Sequence, residues 1–359
     1  MLSRRAVTCL VAGVGTRAFV LAAGYVAVLT LGLAPRPVPA PISQNRFADL
    51  PARWDTGWYV GIASGGYFRP ATPPSSERLK FFPAYSLLLR AVAGTLNPGR
   101  SPVVWAWTGV VLSTALFCLA LLAVSALAAA LCGDEAASRT VWAVATYPFA
   151  IFYGLPYSES LFLLATTSAT VALLHRRCWQ LAFWGTLSGM TRPSGFLLAA
   201  LLFLLGLNSR VVDRRLLLAS LAPLAGTAVF TMYLGAVTGH SLAWAVGQPG
   251  WRSVVNPFAG VATVYDAVNV AAALFASVLT AFTFRRLGGP YASFMALSLA
   301  MALFGIGFNC MGRYTSTLFP MFVLVGCTLR RGVFLSYAVV CFALECAAAA
   351  AFFTWRPLY

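Results

Sequence analysis

Long apolar runs recur along the chain at about 18–33, 103–131, 139–153, 160–175, 179–190, 194–207, 215–237, 261–284, 290–309, 315–329 and 333–353, separated mostly by short connections. Roughly 20 apolar residues cross a hydrocarbon core of about 30 Å as a helix. The runs are continuous and do not alternate, which points to helices and excludes a β-barrel. They predict an all-α polytopic membrane protein of about eleven transmembrane helices. Several runs are short, and the pair around Arg192 also reads as one re-entrant hairpin.

One interval breaks the pattern. Residues 35–101 are polar, open on a Pro-rich stretch from Ala34 to Pro39, and form the first external loop. Within it Trp54, Trp58 and Ile62 recur every fourth residue and mark one apolar helical face, with Asp55 and Tyr59 on an adjacent one. Such a helix is expected to lie flat on the bilayer with its tryptophans at headgroup depth. A second surface helix is expected from Pro83, a residue suited to a first helical turn, through Arg90. Residues 1–359 read as a single transmembrane domain.

Hydrophobic residues make up 60% of the chain and charged residues 9%, outside the range of soluble domains. The formal charge of +16 does not imply nucleic acid, because the basic residues sit in connections between spans. Arg4, Arg5 and Arg17 precede the first run, which reads as an uncleaved span with a cytoplasmic N-terminus and not as a signal peptide. Alternation from there places Arg139, Arg176–Arg177, Arg210, Arg214–Arg215, Arg285–Arg286 and Arg330–Arg331 on the cytoplasmic side, as the positive-inside rule requires. The eight cysteines fall in or beside apolar runs without CxxC spacing and read as unpaired thiols. Two histidines and nine acids offer no metal-ligand cluster.

The same alternation gathers Asp55, Lys80, Glu159, Arg192, His240, Gln248, Trp251, Arg252, Arg313 and Tyr314 on the outer face. Several lie in recognisable motifs. Arg53-Trp54-Asp55 with Trp58-Tyr59 through Ala63 and Gly66-Tyr67, then Phe81-Phe82-Pro83-Ala84-Tyr85, resembles the first luminal loop of the PIG-V family of mannosyltransferases. Gly154-Leu155-Pro156-Tyr157-Ser158-Glu159-Ser160 and Gly189-Met190-Thr191-Arg192-Pro193-Ser194-Gly195 continue the resemblance in order. The motifs cover about residues 50–205, and the likeness through Gly247–Trp251 and Gly312–Tyr314 is weaker.

The resemblance implies a GT-C glycosyltransferase. Such an enzyme takes a mannosyl residue from a polyprenyl-phosphate donor with inversion, on the outer face, using an acid in the first external loop. The Ala- and Arg-rich composition with a single lysine suggests a GC-rich bacterium, hence a plasma-membrane protein. The acceptor, whether glycolipid, polysaccharide or protein, does not follow from the family, nor does mannose over another sugar.

Inverting transfer needs a base for the acceptor hydroxyl, and Asp55 is the candidate; the plainer reading is a carboxylate paired locally with Arg53. A lipid-phosphate leaving group needs cations, and guanidinium forks suit it. Arg192, Arg313 and Lys80 are the candidates, against ordinary snorkelling to headgroups. Glu159 either orients substrate and pairs with a site arginine, or simply occupies a favourable first helical turn behind a Ser158 cap. Trp54, Trp58, Tyr59, Tyr157, Gln248, Trp251 and Tyr314 are candidate substrate contacts, the aromatic ones being interfacial residues first. Asp266 and Asn269 read as interhelical hydrogen-bond partners. Glu345, deep in the last run, demands a buried partner. With no DxD in the outer loops, metal-independent activity is expected. A transporter or flippase of lipid-linked sugars is the alternative, and a non-catalytic scaffold the third reading.

Overall fold

The computed structural model describes residues 4–35, 38–68, 77–96, 101–209, 211–246 and 264–358. Its elements are helical. The first, α1 (Arg4–Thr30), is one continuous helix with a π turn at Val11–Gly15. Two helices of the external loop follow, α2 (Thr56–Gly65) and α3 (Pro83–Leu96). Next come α4 (Pro102–Cys132), α5 (Asp134–Ala145), α6 (Glu159–Leu174), α7 (Cys178–Gly189) and α8 (Pro193–Leu207). The last third holds α9 (Arg214–Thr238), α10 (Val264–Arg286), α11 (Gly289–Ile306), α12 (Met311–Ser316), α13 (Phe319–Thr328) and α14 (Arg331–Phe353).

These helices follow the apolar runs, because the runs are bounded by Gly or Pro, which helix interiors disfavour, or by Arg, whose charge is costly within an apolar span. Among the described residues, α1, α4, α9, α10 and α14 are long and apolar enough to cross a membrane, and α6, α8, α11 and α13 are shorter apolar helices. The expected count of eleven therefore stands on runs of which several are shorter than a full span.

Side-chain pairs fix the direction of the helices. Arg5 pairs with Asp134 at 2.5 Å, Arg139 donates to the Gly326 carbonyl at 2.8 Å, and Arg176 pairs with Asp213 at 3.2 Å. At the other end, the Ala34 N–H donates to the Thr354 carbonyl at 2.8 Å and the Trp107 indole to the Ala48 carbonyl at 3.1 Å. The basic connections thus share one end of the bundle, and the loop at 38–68 lies at the opposite end. Arg210 lies outside the described residues.

Three sequence expectations are revised, and a fourth holds. Arg17 is not a flanking charge: it lies inside α1, only 1% exposed. It pairs with Glu345 of α14 at 2.5 Å and donates to the carbonyls of Ala145 (2.9 Å) and Ala150, where α5 ends and a 3₁₀ turn begins. Helix ends leave carbonyls unpaired, and a buried guanidinium with five donors can serve a carboxylate and two carbonyls together. This supplies the partner that Glu345 required.

Cys132 and Cys327 form a disulfide, whereas the remaining six cysteines are free. The expectation of unpaired thiols fails here because α4 and α13 end side by side, bringing Cα atoms 195 positions apart in sequence to 5.8 Å. The external helix α2 does not lie free on a surface either. Its buried face is Thr56, Tyr59, Ile62 and Ala63, packed against protein, with Trp58 only half buried. Finally, Asn269 joins helices as expected, donating to the Leu358 carbonyl at 3.3 Å and accepting from the Gly312 N–H at 2.9 Å; the Asp266 side chain lies outside the described ones.

Two outcomes follow. Alkylation of the denatured, unreduced protein is expected to modify six cysteines, and reduction to expose the Cys132–Cys327 pair as well, read by mass spectrometry. Glu345→Gln should destabilise the fold by about 3–5 kcal/mol by leaving Arg17 buried without its counter-charge, with much of the loss recovered in Arg17→Met/Glu345→Leu. Thermal unfolding in detergent measures both.

Candidate active site

The external loop delivers Asp55 inward because its neighbours are tied elsewhere. Arg53, 2% exposed, pairs with Asp49 at 2.8 Å and donates to the Phe353 carbonyl at 2.8 Å. Trp54 adopts a left-handed φ of 51°, and its indole N–H donates to the Phe352 carbonyl at 3.1 Å. The Asp55 N–H donates to the Tyr157 hydroxyl at 3.0 Å, which itself donates to the Arg53 carbonyl at 3.2 Å. Local pairing of Asp55 with Arg53 is thereby ruled out: the Arg53 guanidinium is already engaged by Asp49 and by the end of α14.

Asp55 Oδ2 instead meets Arg313 Nη1 at 2.5 Å. Arg313 Nε and Arg192 Nη1 both donate to the same oxygen, Oε1 of Glu159. The four side chains form one continuous chain, Asp55–Arg313–Glu159–Arg192. Glu159 is fully buried, the arginines nearly so, and Asp55 alone is reachable, its side chain 25% exposed.

Each member is placed by a local constraint legible in its motif. Glu159 opens α6, and Ser158 sits at the cap position without capping; its hydroxyl bonds the Tyr59 hydroxyl at 2.8 Å. Pro156 packs so closely on Gly109 that a Cβ there would come within 2.6 Å of it. Arg192 lies in the turn between α7 and α8, extended at φ −149° and ψ 154° as the residue before proline prefers. The flanking glycines permit that turn. A Cβ on Gly189 would meet the Pro223 carbonyl oxygen at 2.0 Å, and one on Gly195 the Ser188 oxygen at 2.1 Å. Arg313 lies on the short α12, entered through Cys310 at a left-handed φ of 62°.

Aromatic rings complete the setting. The Arg313 guanidinium lies over Tyr157 at 4.6 Å and Phe152 at 5.2 Å, and that of Arg192 over Tyr314 at 4.9 Å. Such faces stabilise a desolvated cation. Burial would lower the Arg313 pKa, but the Glu159 and Asp55 carboxylates outweigh it and hold it well above the ordinary value. Burial pushes the Tyr59 hydroxyl up to about 12 against the pull of Arg313, so it stays protonated. The two positive and two negative charges cancel. An incoming anion would therefore have to take arginine contacts now held by the carboxylates.

Not every candidate joins this cluster. Lys80 ends the 3₁₀ turn Arg78–Lys80 and pairs with Glu77 at 2.6 Å, not with a carboxylate of the cluster. Tyr157 is fully buried and acts as a strut, offering no open ring face to a sugar. Trp54 packs at a tilt against Trp355 with centroids 5.1 Å apart, and Trp58 stacks on Phe81 at 5.9 Å. Tyr59 is buried, and Tyr314 is half buried beneath Arg192. Gln248, Trp251 and Arg252 lie outside the described residues. Phe152 was not singled out by sequence; within an apolar run, nothing distinguishes a ring under a guanidinium from a core ring. No group of three or more His, Cys, Asp or Glu assembles among the described residues.

Residues 35–212 match the model of the Mannosyltransferase (PIG-V) family. No curated protein matches the chain. Among solved structures, the fold is similar to an oligosaccharyltransferase of Archaeoglobus fulgidus in complex with Zn and sulfate, with TM-score 0.53 and 15% identity over 92% of this chain and 53% of that one. It is also similar to the oligosaccharyltransferase AglB of Archaeoglobus fulgidus in complex with an inhibitory peptide and a dolichol-phosphate, with TM-score 0.53 and 13% identity over 93% and 56%. The chain spans about half the length of these structures, and the likeness shows a shared GT-C fold.

Glu159→Gln is expected to destabilise the protein by about 3–5 kcal/mol, since two buried arginines then share no full counter-charge. Asp55→Asn, at the exposed end of the same chain of charges, should cost no more than about 1 kcal/mol. Parallel thermal unfolding of the two variants checks this ordering.

Proposed function

We propose that this chain, a member of the PIG-V mannosyltransferase family over residues 35–212, transfers a mannosyl residue from a polyprenyl-phosphate donor to an acceptor hydroxyl with inversion. The observation that carries the reading is the buried charge chain in which Asp55 is the one accessible carboxylate, held by an arginine fit to bind phosphate. AglB, which shares the fold, is captured with a dolichol-phosphate, and that supports a lipid-linked donor here.

In this reading the donor phosphate takes guanidinium contacts from Arg313 and Arg192, whose forks match phosphate oxygens and stabilise the charge that develops as the sugar departs. Asp55, released from Arg313, takes the proton of the attacking acceptor hydroxyl on the opposite face of the anomeric carbon. Glu159 keeps both arginines in place and stays out of the chemistry. Tyr157 and Ser158 act at one remove, fixing the backbone of Asp55 and the hydroxyl of Tyr59.

The site end of the bundle faces outward in this proposal, with the N-terminus and basic connections cytoplasmic, in a bacterial plasma membrane. Arginine-rich connections at the opposite end support that orientation. The reaction is proposed to run without metal, because Glu159 is held by both arginines and Asp55 alone offers a hard cation too few oxygens. The acceptor is a glycolipid, polysaccharide or protein hydroxyl.

The test is sugar transfer from radiolabelled polyprenyl-phosphate mannose in membranes holding wild type or Asp55→Asn at equal expression. Wild type should transfer, and the variant should lose about 10²–10⁴-fold, the usual contribution of a positioned base. Equal rates would remove Asp55 from catalysis, and no transfer by wild type would favour a flippase. Chelator should leave the wild-type rate unchanged; its loss would overturn metal independence.

A further inference from the structure

The end of α14 and the segment after it, Phe352–Leu358, reach both partners of the Asp55–Arg313 pair. One end serves the loop that carries Asp55. The carbonyls of Phe352 and Phe353 accept from Trp54 and Arg53, and the Trp355 ring lies 5.1 Å from the Trp54 ring and 5.7 Å from the Arg53 guanidinium. The other end serves Arg313. There the Leu358 carbonyl accepts from Asn269 Nδ2 at 3.3 Å, while Asn269 Oδ1 accepts from the Gly312 N–H at 2.9 Å. Gly312 stands in the first turn of α12, directly before Arg313, where a helix has N–H groups without intrahelical partners. Asn269, 2% exposed on α10, satisfies one of them from outside.

The segment is itself fixed to α1. The Thr354 carbonyl accepts from the Ala34 N–H at 2.8 Å, and Arg356 donates to the carbonyls of Gly32 at 3.2 Å and Leu31 at 3.4 Å. Backbone conformation supplies a second, independent observation. Among the described residues four that are not glycine hold a left-handed φ: Trp54, Arg176, Cys310 and Trp355. Three of these lie on the path just traced. Trp54 precedes Asp55, Cys310 opens α12, and Trp355 lies in the segment that connects the two sides. Bulky residues rarely adopt that region, and they stay there only where the surrounding contacts over-determine them. The strain is gathered around one pair of side chains.

We propose that Phe352–Leu358 and Asn269 form a brace that sets the separation of the base and the phosphate-binding arginine, with Asn269 and Trp355 as positioning residues for transfer. Asn269 acts through Gly312 on Arg313, and Trp355 acts through Trp54 on Asp55. The inference rests on the roles given above to Asp55 and Arg313, and adds what holds them at a working distance. Both positioning residues lie outside the stretch 35–212 that the family model matches. Groups that must act on opposite faces of one carbon lose rate steeply when their spacing drifts.

Two measurements test it, and the first needs no activity. Cys310, half buried at the entry to α12, reports on that helix, and Cys178, at the start of α7, serves as the control. In native protein in detergent, Asn269→Ala should speed alkylation of Cys310 by N-ethylmaleimide about tenfold, the worth of one buried hydrogen bond. Trp355→Ala, made on the Asp55 side, should speed it too, and Cys178 should react as in wild type. An unchanged Cys310 in Trp355→Ala, or an equal rise at Cys178, overturns the brace. In the transfer assay with undecaprenyl-phosphate mannose, each variant should lower the maximal rate about 10²-fold and move the donor KM by less than about threefold. The double variant should lose little more than either single one, because parts of one unit are not additive. A loss equal to the product of the two, or a change confined to KM, overturns the brace and leaves the enzyme reading intact. If wild type transfers nothing, the enzyme reading fails and the alkylation alone decides. Asn269→Ser provides the same comparison should Asn269→Ala not accumulate in membranes.

Discussion

Arginine side chains buried in an apolar bundle are tolerated only against carboxylates, and that constraint organises the site end of this protein. Arg192 and Arg313 are each about 5% exposed, and both point at one oxygen of Glu159. Without Glu159, Arg192 would lose its carboxylate and Arg313 would keep only Asp55, at a large cost in stability. With it, Arg313 retains a second reach, toward Asp55 at the rim. The tight turns around Arg192, the stacked Tyr157 and Phe152, and the hydroxyl of Ser158 all serve to hold this arrangement.

The same solution appears a second time, inside the bundle. Arg17 and Glu345 pair between the first and last long helices, and the guanidinium also donates to the carbonyls of Ala145 and Ala150. Those carbonyls end the helix that leads through the 3₁₀ turn Ala150–Gly154 to Tyr157 and Glu159. A Cβ on Gly154 would sit 3.0 Å from the Arg17 side chain, so the approach to the site is packed directly on the inner ion pair. One buried pair thereby sets the position of the other.

Much of this was legible in the sequence because charge is costly where nearly everything is apolar. Asp55, Glu159, Arg192 and Arg313 stood out for that reason, and the structure brings all four together. Helix limits were legible because the runs are continuous and bounded by breakers. Arg17 was misread because an arginine near an N-terminus looks like a flanking charge; only the fold shows the helix extending past it. The Cys132–Cys327 bond joins residues 195 apart, a proximity no spacing rule reveals. The tryptophan stripe gave only part of the buried face of α2: Ile62 buries as it suggested, but Tyr59 from the adjacent face buries too, while Trp58 stays half exposed.

The separation of the site residues along the chain has a consequence for biogenesis. Glu159 and Arg192 are 33 positions apart and sit at the two ends of a compact helical hairpin, so their contact forms early in synthesis. Arg313 follows Asp55 by 258 positions. A chain inserted from its N-terminus must hold the Asp55 carboxylate without its arginine until the last third has entered the membrane. Arg53 and Trp54, whose acceptors are the carbonyls of Phe353 and Phe352, wait longer still. The loop that carries Asp55 is thus anchored last of all, and a bundle arrested before α14 would hold all four charges of the cluster yet lack the carbonyls that fix Arg53 and Trp54 beside them.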